Sequence, residues 1–97
     1  MLQHLLTTLT ILRRKQVESE SGYSRSTIYL RITQGLWTRP VSLGPRAVGW
    51  PASEVAALNA ARIAGRSDDE IRALVVKLEA ARSALAQEVR EDPSDDS

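Results

Sequence analysis

The run Gly22-Tyr23-Ser24-Arg25-Ser26-Thr27-Ile28-Tyr29-Leu30-Arg31-Ile32-Thr33-Gln34-Gly35 leaves few folds open. It reads as a turn, a short capped helix and a helix stop. Ser24 is a good N-cap, because its hydroxyl can take one of the orphan amide protons of the first turn. Ile28 and Ile32, four apart, mark a buried side. Gly35 suits the left-handed position just past a helix end. Arg25, Ser26, Thr27, Tyr29, Leu30 and Arg31 are left facing outward. That mixture suits the major groove of duplex DNA. Arginine fits guanine edges and phosphates, hydroxyls fit either, and Leu30 fits a thymine methyl.

The flanking segments extend this reading. Arg14 to about Glu20 is expected to be helical, with Val17 as its apolar anchor and Leu12 just before it. Gly22 breaks that helix and Ser24 opens the next. Two short helices joined by a tight glycine turn make a helix-turn-helix. In that motif the first helix crosses the DNA backbone and the second reads bases. A helical hairpin without a ligand fits the same pattern. From Val41 to Trp50 the period changes: Val41, Leu43, Val48 and Trp50 alternate with small or polar residues, around a Gly44-Pro45 turn. This predicts a β-hairpin wing with Arg46 at its tip and Arg39 on its approach. Such an arginine can reach a phosphate or a narrow minor groove, or it can simply solubilise an exposed turn. Trp37 and Trp50 flank the hairpin and are expected to plug the core, not to form a stacking platform for single strands.

Pro51 and Glu54 suit a helix start. An alanine-rich helix follows and stops at Gly65. Ser67-Asp68-Asp69-Glu70 is a capping box. Ile71, Leu74, Val75, Leu78, Ala81, Leu85 and Val89 then recur at helical spacing. This stripe either folds back on the helix-turn-helix or pairs with a second copy. The expected arrangement is a homodimer through Ile71, Leu74, Leu78 and Leu85. The organisation that emerges is a flexible lead-in over 1–10, a DNA-binding domain over 11–64, a C-terminal helix over 67–90 and an acidic, disordered tail over 91–97.

Composition narrows the function classes. A chain of 97 residues has room for one domain. It has no cysteine and a single histidine, His4, which excludes disulfide frameworks and thiolate or histidine-based metal sites. No cofactor is called for. There is no phosphate-binding glycine loop and no nucleophile–base constellation, so an enzyme is not expected. No apolar run reaches membrane-span length and no secretory leader is visible. The expected compartment is the cytoplasm, at the bacterial nucleoid. The net charge of +1 hides an asymmetry. Leu12 to Trp50 carries +5, whereas Pro51 to Ser97 carries −4. The N-terminal half is fit to meet a polyanion, although a solvated basic face has the same composition.

The helix Gly22 to Ile32, the stop Gln34-Gly35-Leu36-Trp37 and the wing Pro40 to Trp50, in that order, resemble the AlpA family of phage-type transcriptional regulators. The resemblance covers about residues 11–64. Members usually carry Phe where Trp37 stands. The resemblance implies a mainly α, winged helix-turn-helix fold, similar to the MerR and excisionase groups, with an added C-terminal helix. It implies duplex DNA binding near prophage, plasmid or integrated-element genes, with Ser24 to Gln34 as recognition helix and Gly44-Pro45-Arg46 as wing tip. The expected DNA-binding set is Arg14, Lys15, Ser24, Arg25, Ser26, Thr27, Tyr29, Leu30, Arg31, Arg39 and Arg46. Two other roles stay open: a DNA-bending excision factor, and a protein adaptor using the C-terminal helix. Recombinase and RNA polymerase are the partner classes these readings suggest.

Overall fold

The computed structural model describes residues 10–90. Strand β1 (Ile11–Arg13) runs directly into helix α1 (Arg14–Ser21) and then α2 (Arg25–Thr33). Strands β2 (Val41–Gly44) and β3 (Ala47–Pro51) follow, then helices α3 (Ala52–Ile63) and α4 (Asp68–Arg90). The result is a mainly helical, winged helix-turn-helix with a C-terminal helix. The lead-in expected over 1–10 lies outside the described residues except for Thr10, and the acidic tail lies wholly outside them.

The helix ends follow from their sequences. The Ser24 hydroxyl accepts the Thr27 N–H at 3.3 Å and caps α2. At the other end Leu36 N–H bonds to Arg31 O (2.8 Å) and Gly35 N–H to Ile32 O (3.0 Å). This double closure needs a left-handed residue, and Gly35 supplies it with φ 77°. The same closure recurs after α3, where Arg66 N–H reaches Ala61 O. The capping box of α4 is formed in both directions, Ser67 N–H to Glu70 at 2.9 Å and Glu70 N–H to Ser67 at 3.2 Å.

The wing is larger than the sequence suggests. Its strand order is β1-β3-β2, all antiparallel, so β1 adds a third strand to the expected hairpin. Leu12 pairs with Trp50 and Arg13 with Gly49, while Val41 pairs with Gly49 from the other side. Gly49 therefore lies between two neighbours. A Cβ there would meet Ile11 Cγ2 at 2.5 Å and Leu12 O at 3.0 Å. A side chain there would force the Ile11 side chain aside and press on the Leu12 carbonyl of β1.

Val17, Ile28, Leu36, Trp37, Trp50, Val55, Leu58, Ile71 and Val75 form the buried core. Both tryptophans plug it as expected, and Trp50 Nε1 donates to Thr38 O at 2.9 Å. The expected partner-facing stripe of α4 meets the chain's own core at three of its four positions. Ile71 is buried in this core, and Leu74 and Leu78 pack against it. The Leu85 side chain lies outside the described ones. Ile71, Leu74 and Leu78 are thus used within the chain, where they cover an apolar side of the small helix-turn-helix.

Candidate nucleic-acid interface

Helix α2, the second of the helix-turn-helix, is held on one side by Ile28 and offers the other to solvent. Arg25, Ser26 and Leu30 are exposed, Leu30 at 55%. Tyr29 is exposed too, but its ring meets Trp50 edge-on at 6.4 Å, bracing the helix against the sheet. The Arg25 guanidinium lies 6.0 Å from the Tyr29 ring centroid and has no carboxylate partner among the described residues. Ser24 and Thr27 are occupied locally: the Ser24 hydroxyl donates to Thr27 Oγ1 at 3.0 Å while it caps the helix.

Arg31 does not project freely. Its Nε and Nη2 donate to the Tyr23 hydroxyl at 3.0 and 2.6 Å. Tyr23 also carries the Arg62 guanidinium at 4.0 Å from its ring centroid and stands edge-on to Trp37 at 5.7 Å. Arg62 donates to Ser21 O and Asn59 to Glu20 O, so α3 caps the carbonyl end of α1. Tyr23, Asn59 and Arg62 together fix the turn between α1 and α2. Sequence reading assigned none of these roles.

Arg14, Lys15 and Arg46 come together. They line one cleft of about 400 Å³ with Arg13 and Val48. The Arg13 Nε donates to Val48 O at 3.2 Å across the β1–β3 pairing. Arg14 pairs with Glu18 one turn along α1. Lys15 and Arg46 have no hydrogen-bond or ion-pair partner among the described residues. Arg13 is the cation that sequence reading left out of the site. Its signal was only its charge, because the strand that aims it was not legible.

Arg39 lies elsewhere. Its backbone N–H and its guanidinium bond to the Glu79 carboxylate of α4 at 2.8 and 3.1 Å. Partial burial pushes the Glu79 carboxyl up. The Arg39 N–H and guanidinium, with Arg82 beyond, outweigh it and hold the group below the usual carboxylate range. Arg82 makes a two-pronged pair with Glu54, both contacts 2.7 Å, and a third bond of 2.7 Å to Arg39 O. The bond to Glu54 raises the Arg82 guanidinium against the opposing effect of burial. Arg72 donates to Gln34 O at 2.9 Å. Helix α4 thus clasps the segment that joins α2 to the wing.

A winged helix-turn-helix with an exposed, cation-bearing second helix defines the class of protein. The family described as prophage CP4-57 regulatory protein (AlpA) matches residues 10–62, and the chain belongs to that family. The uncharacterized protein ORF88 of Enterobacteria phage P4 is 48% identical over 61 residues, which span 63% of this chain and 69% of that protein. No solved structure matches. The family match ends within α3, so α4 lies outside it. Among the described residues no helix is long and apolar enough to cross a membrane, and no cluster of metal ligands occurs.

Proposed function

We propose that this protein is a sequence-specific, duplex DNA-binding transcriptional regulator of a phage-like gene set. The observation that carries this reading is the solvent face of α2, where unpaired Arg25 stands beside Ser26, Tyr29 and Leu30. In the major groove Arg25 donates to the O6 and N7 of a guanine. Ser26 meets a base edge or its flanking phosphate, and Leu30 packs on a thymine methyl. Ser24 and Thr27 at the helix start lie against the DNA backbone, and Tyr29 keeps the helix at its angle to the wing. Arg31, pinned by Tyr23, presents its remaining donors to a phosphate. Arg14, Lys15 and Arg46 supply further phosphate contacts, which fix register without reading sequence. Two copies on adjacent half-sites would give the contact area that one short helix lacks.

The test is a gel shift on the DNA upstream of the protein's own gene, with random duplex as competitor. Retardation that survives the competitor and weakens steeply with salt is the expected result. Binding no tighter than to random duplex would exclude a sequence-specific regulator. Strong bending of that DNA, read by circular permutation of the site, would favour an excision factor instead.

A further inference from the structure

We propose that the cleft between the β1–α1 junction and the wing turn is a two-armed clamp for a backbone phosphate of one DNA strand, with Arg13 as an unassigned contact. This rests on the duplex-binding reading above and adds a site to it. Four cations, Arg13, Arg14, Lys15 and Arg46, line one concavity that holds no carboxylate. Among the described residues only Arg14 of the four has an ion-pair partner, Glu18. Three of them are consecutive in the chain, and the fold brings Arg46 of the wing turn to the same cleft; like charges held together without a counter-ion repel. A phosphate is the group that would relieve the repulsion.

Three further observations fit a phosphate. The arms come from two elements that the sheet holds rigidly together. Arg13 ends β1, which pairs with β3, and Arg14 begins α1 with no residue between. The cleft is therefore formed before any ligand arrives, which reduces the ordering cost of binding. Next, Arg13 commits one donor to Val48 O and keeps the other four of its guanidinium. Last, α1 opens on two cations, Arg14 and Lys15, behind a third at its N-cap, Arg13, with no acidic residue in its first turn and no side-chain hydrogen bond from the N-cap. Cations there oppose the helix dipole, whereas an anion would complement it.

Arg46 adds an independent sign. It has φ 61°, in the left-handed region, and is the one non-glycine residue there among the described residues. A glycine at this turn would relieve the backbone, yet the chain keeps an arginine. Such strain at an exposed charged residue points to use of its side chain.

The experiment measures duplex affinity by fluorescence anisotropy at several salt concentrations, for the full chain and for Arg13→Ala, Arg46→Gly and the double variant. Each single change should weaken binding about tenfold at low salt. The double variant should lower the slope of log affinity against log salt by about 0.9, and each single change by less, because the other arm still meets the shared phosphate. Losses should be equal on operator and random duplex. The double variant should lose less than the product of the single losses, because both arms hold one phosphate. Arg46→Gly should melt no lower than the parent, which separates lost contact from lost fold. Full affinity and an unchanged slope in both single variants would overturn the clamp and leave duplex binding intact. So would strictly multiplicative losses. A parent protein that binds no duplex would overturn both readings.

Discussion

Arg13, Arg14, Lys15 and Arg46 meet around an open cleft, whereas Arg39, Arg72 and Arg82 meet along α4. The residue types match, but their uses differ. Along α4 each guanidinium has a carboxylate within 3.3 Å: Glu79, Asp69 and Glu54 respectively. Two of them also hold a backbone carbonyl, Arg72 that of Gln34 and Arg82 that of Arg39. Around the cleft one carboxylate, Glu18, serves four cations. Charge spent inside the fold holds α4 on the linker between recognition helix and wing. Charge left unpaired is available to a ligand. Arg39 belongs to the +5 half of the sequence and is nevertheless satisfied, so three dimensions divide the cations by partner and not by place in the chain.

The largest effect expected from breaking the clasp is that of Glu54→Ala. Glu54 is 4% exposed, and its removal leaves Arg82 partly buried without its partner. Removing one member of a buried pair costs about 3 kcal/mol or more. Denaturant unfolding should show that loss at unchanged m. A loss below about 0.5 kcal/mol would mean that the clasp contributes little.

Arg25→Ala should separate binding from stability. Its guanidinium holds no carboxylate or carbonyl among the described residues, so the melting temperature should stay where it is. Operator affinity should fall by about 1–3 kcal/mol, and discrimination at one base pair should relax. Equal losses on operator and random duplex would remove Arg25 from base reading.

A smaller effect, and a test of the clasp by pH, comes from Glu79→Gln. The Glu79 carboxyl titrates lower in the folded protein than in the unfolded chain. Its ionised form therefore stabilises the fold at neutral pH, and this contribution is lost as pH falls through the lowered folded value. The pair is open to solvent, with Arg39 74% exposed, so the difference at pH 7 should be under about 1 kcal/mol. Thermal melts of parent and variant should converge as the pH falls into the acid range, once the Glu79 carboxyl is protonated in the folded protein too. A gap that persists or widens in acid would contradict this assignment.

Local signals carried most of the fold. Ser24, Gly35, Gly65 and the Ser67–Glu70 box each act within one turn of chain, so sequence spacing reveals them. The period-two run from Val41 to Trp50 revealed the hairpin for the same reason. Long-range pairings were not legible. β1 is three residues long, too short to show a period, and it exists only because β3 lies beside it. Glu54 looked like a helix-start acid, but it is the partner of Arg82, 28 residues away. The stripe of α4 showed that something covers it. Only packing shows that the cover is the chain's own core. In the candidate interface, the outward residues of α2 were legible from helical periodicity. The tethering of Arg31 by Tyr23 and the aiming of Arg13 by Val48 were not.

The most direct test sets one cation from each group side by side. Lys15→Ala and Arg72→Ala remove the same charge, one from the cleft and one from the clasp. Duplex affinity would be measured across a salt series for both and for the parent. The account predicts a slope lowered by about 0.9 for Lys15→Ala and an unchanged slope for Arg72→Ala. Equal slopes in the two variants would contradict the division between ligand-binding and fold-holding arginines.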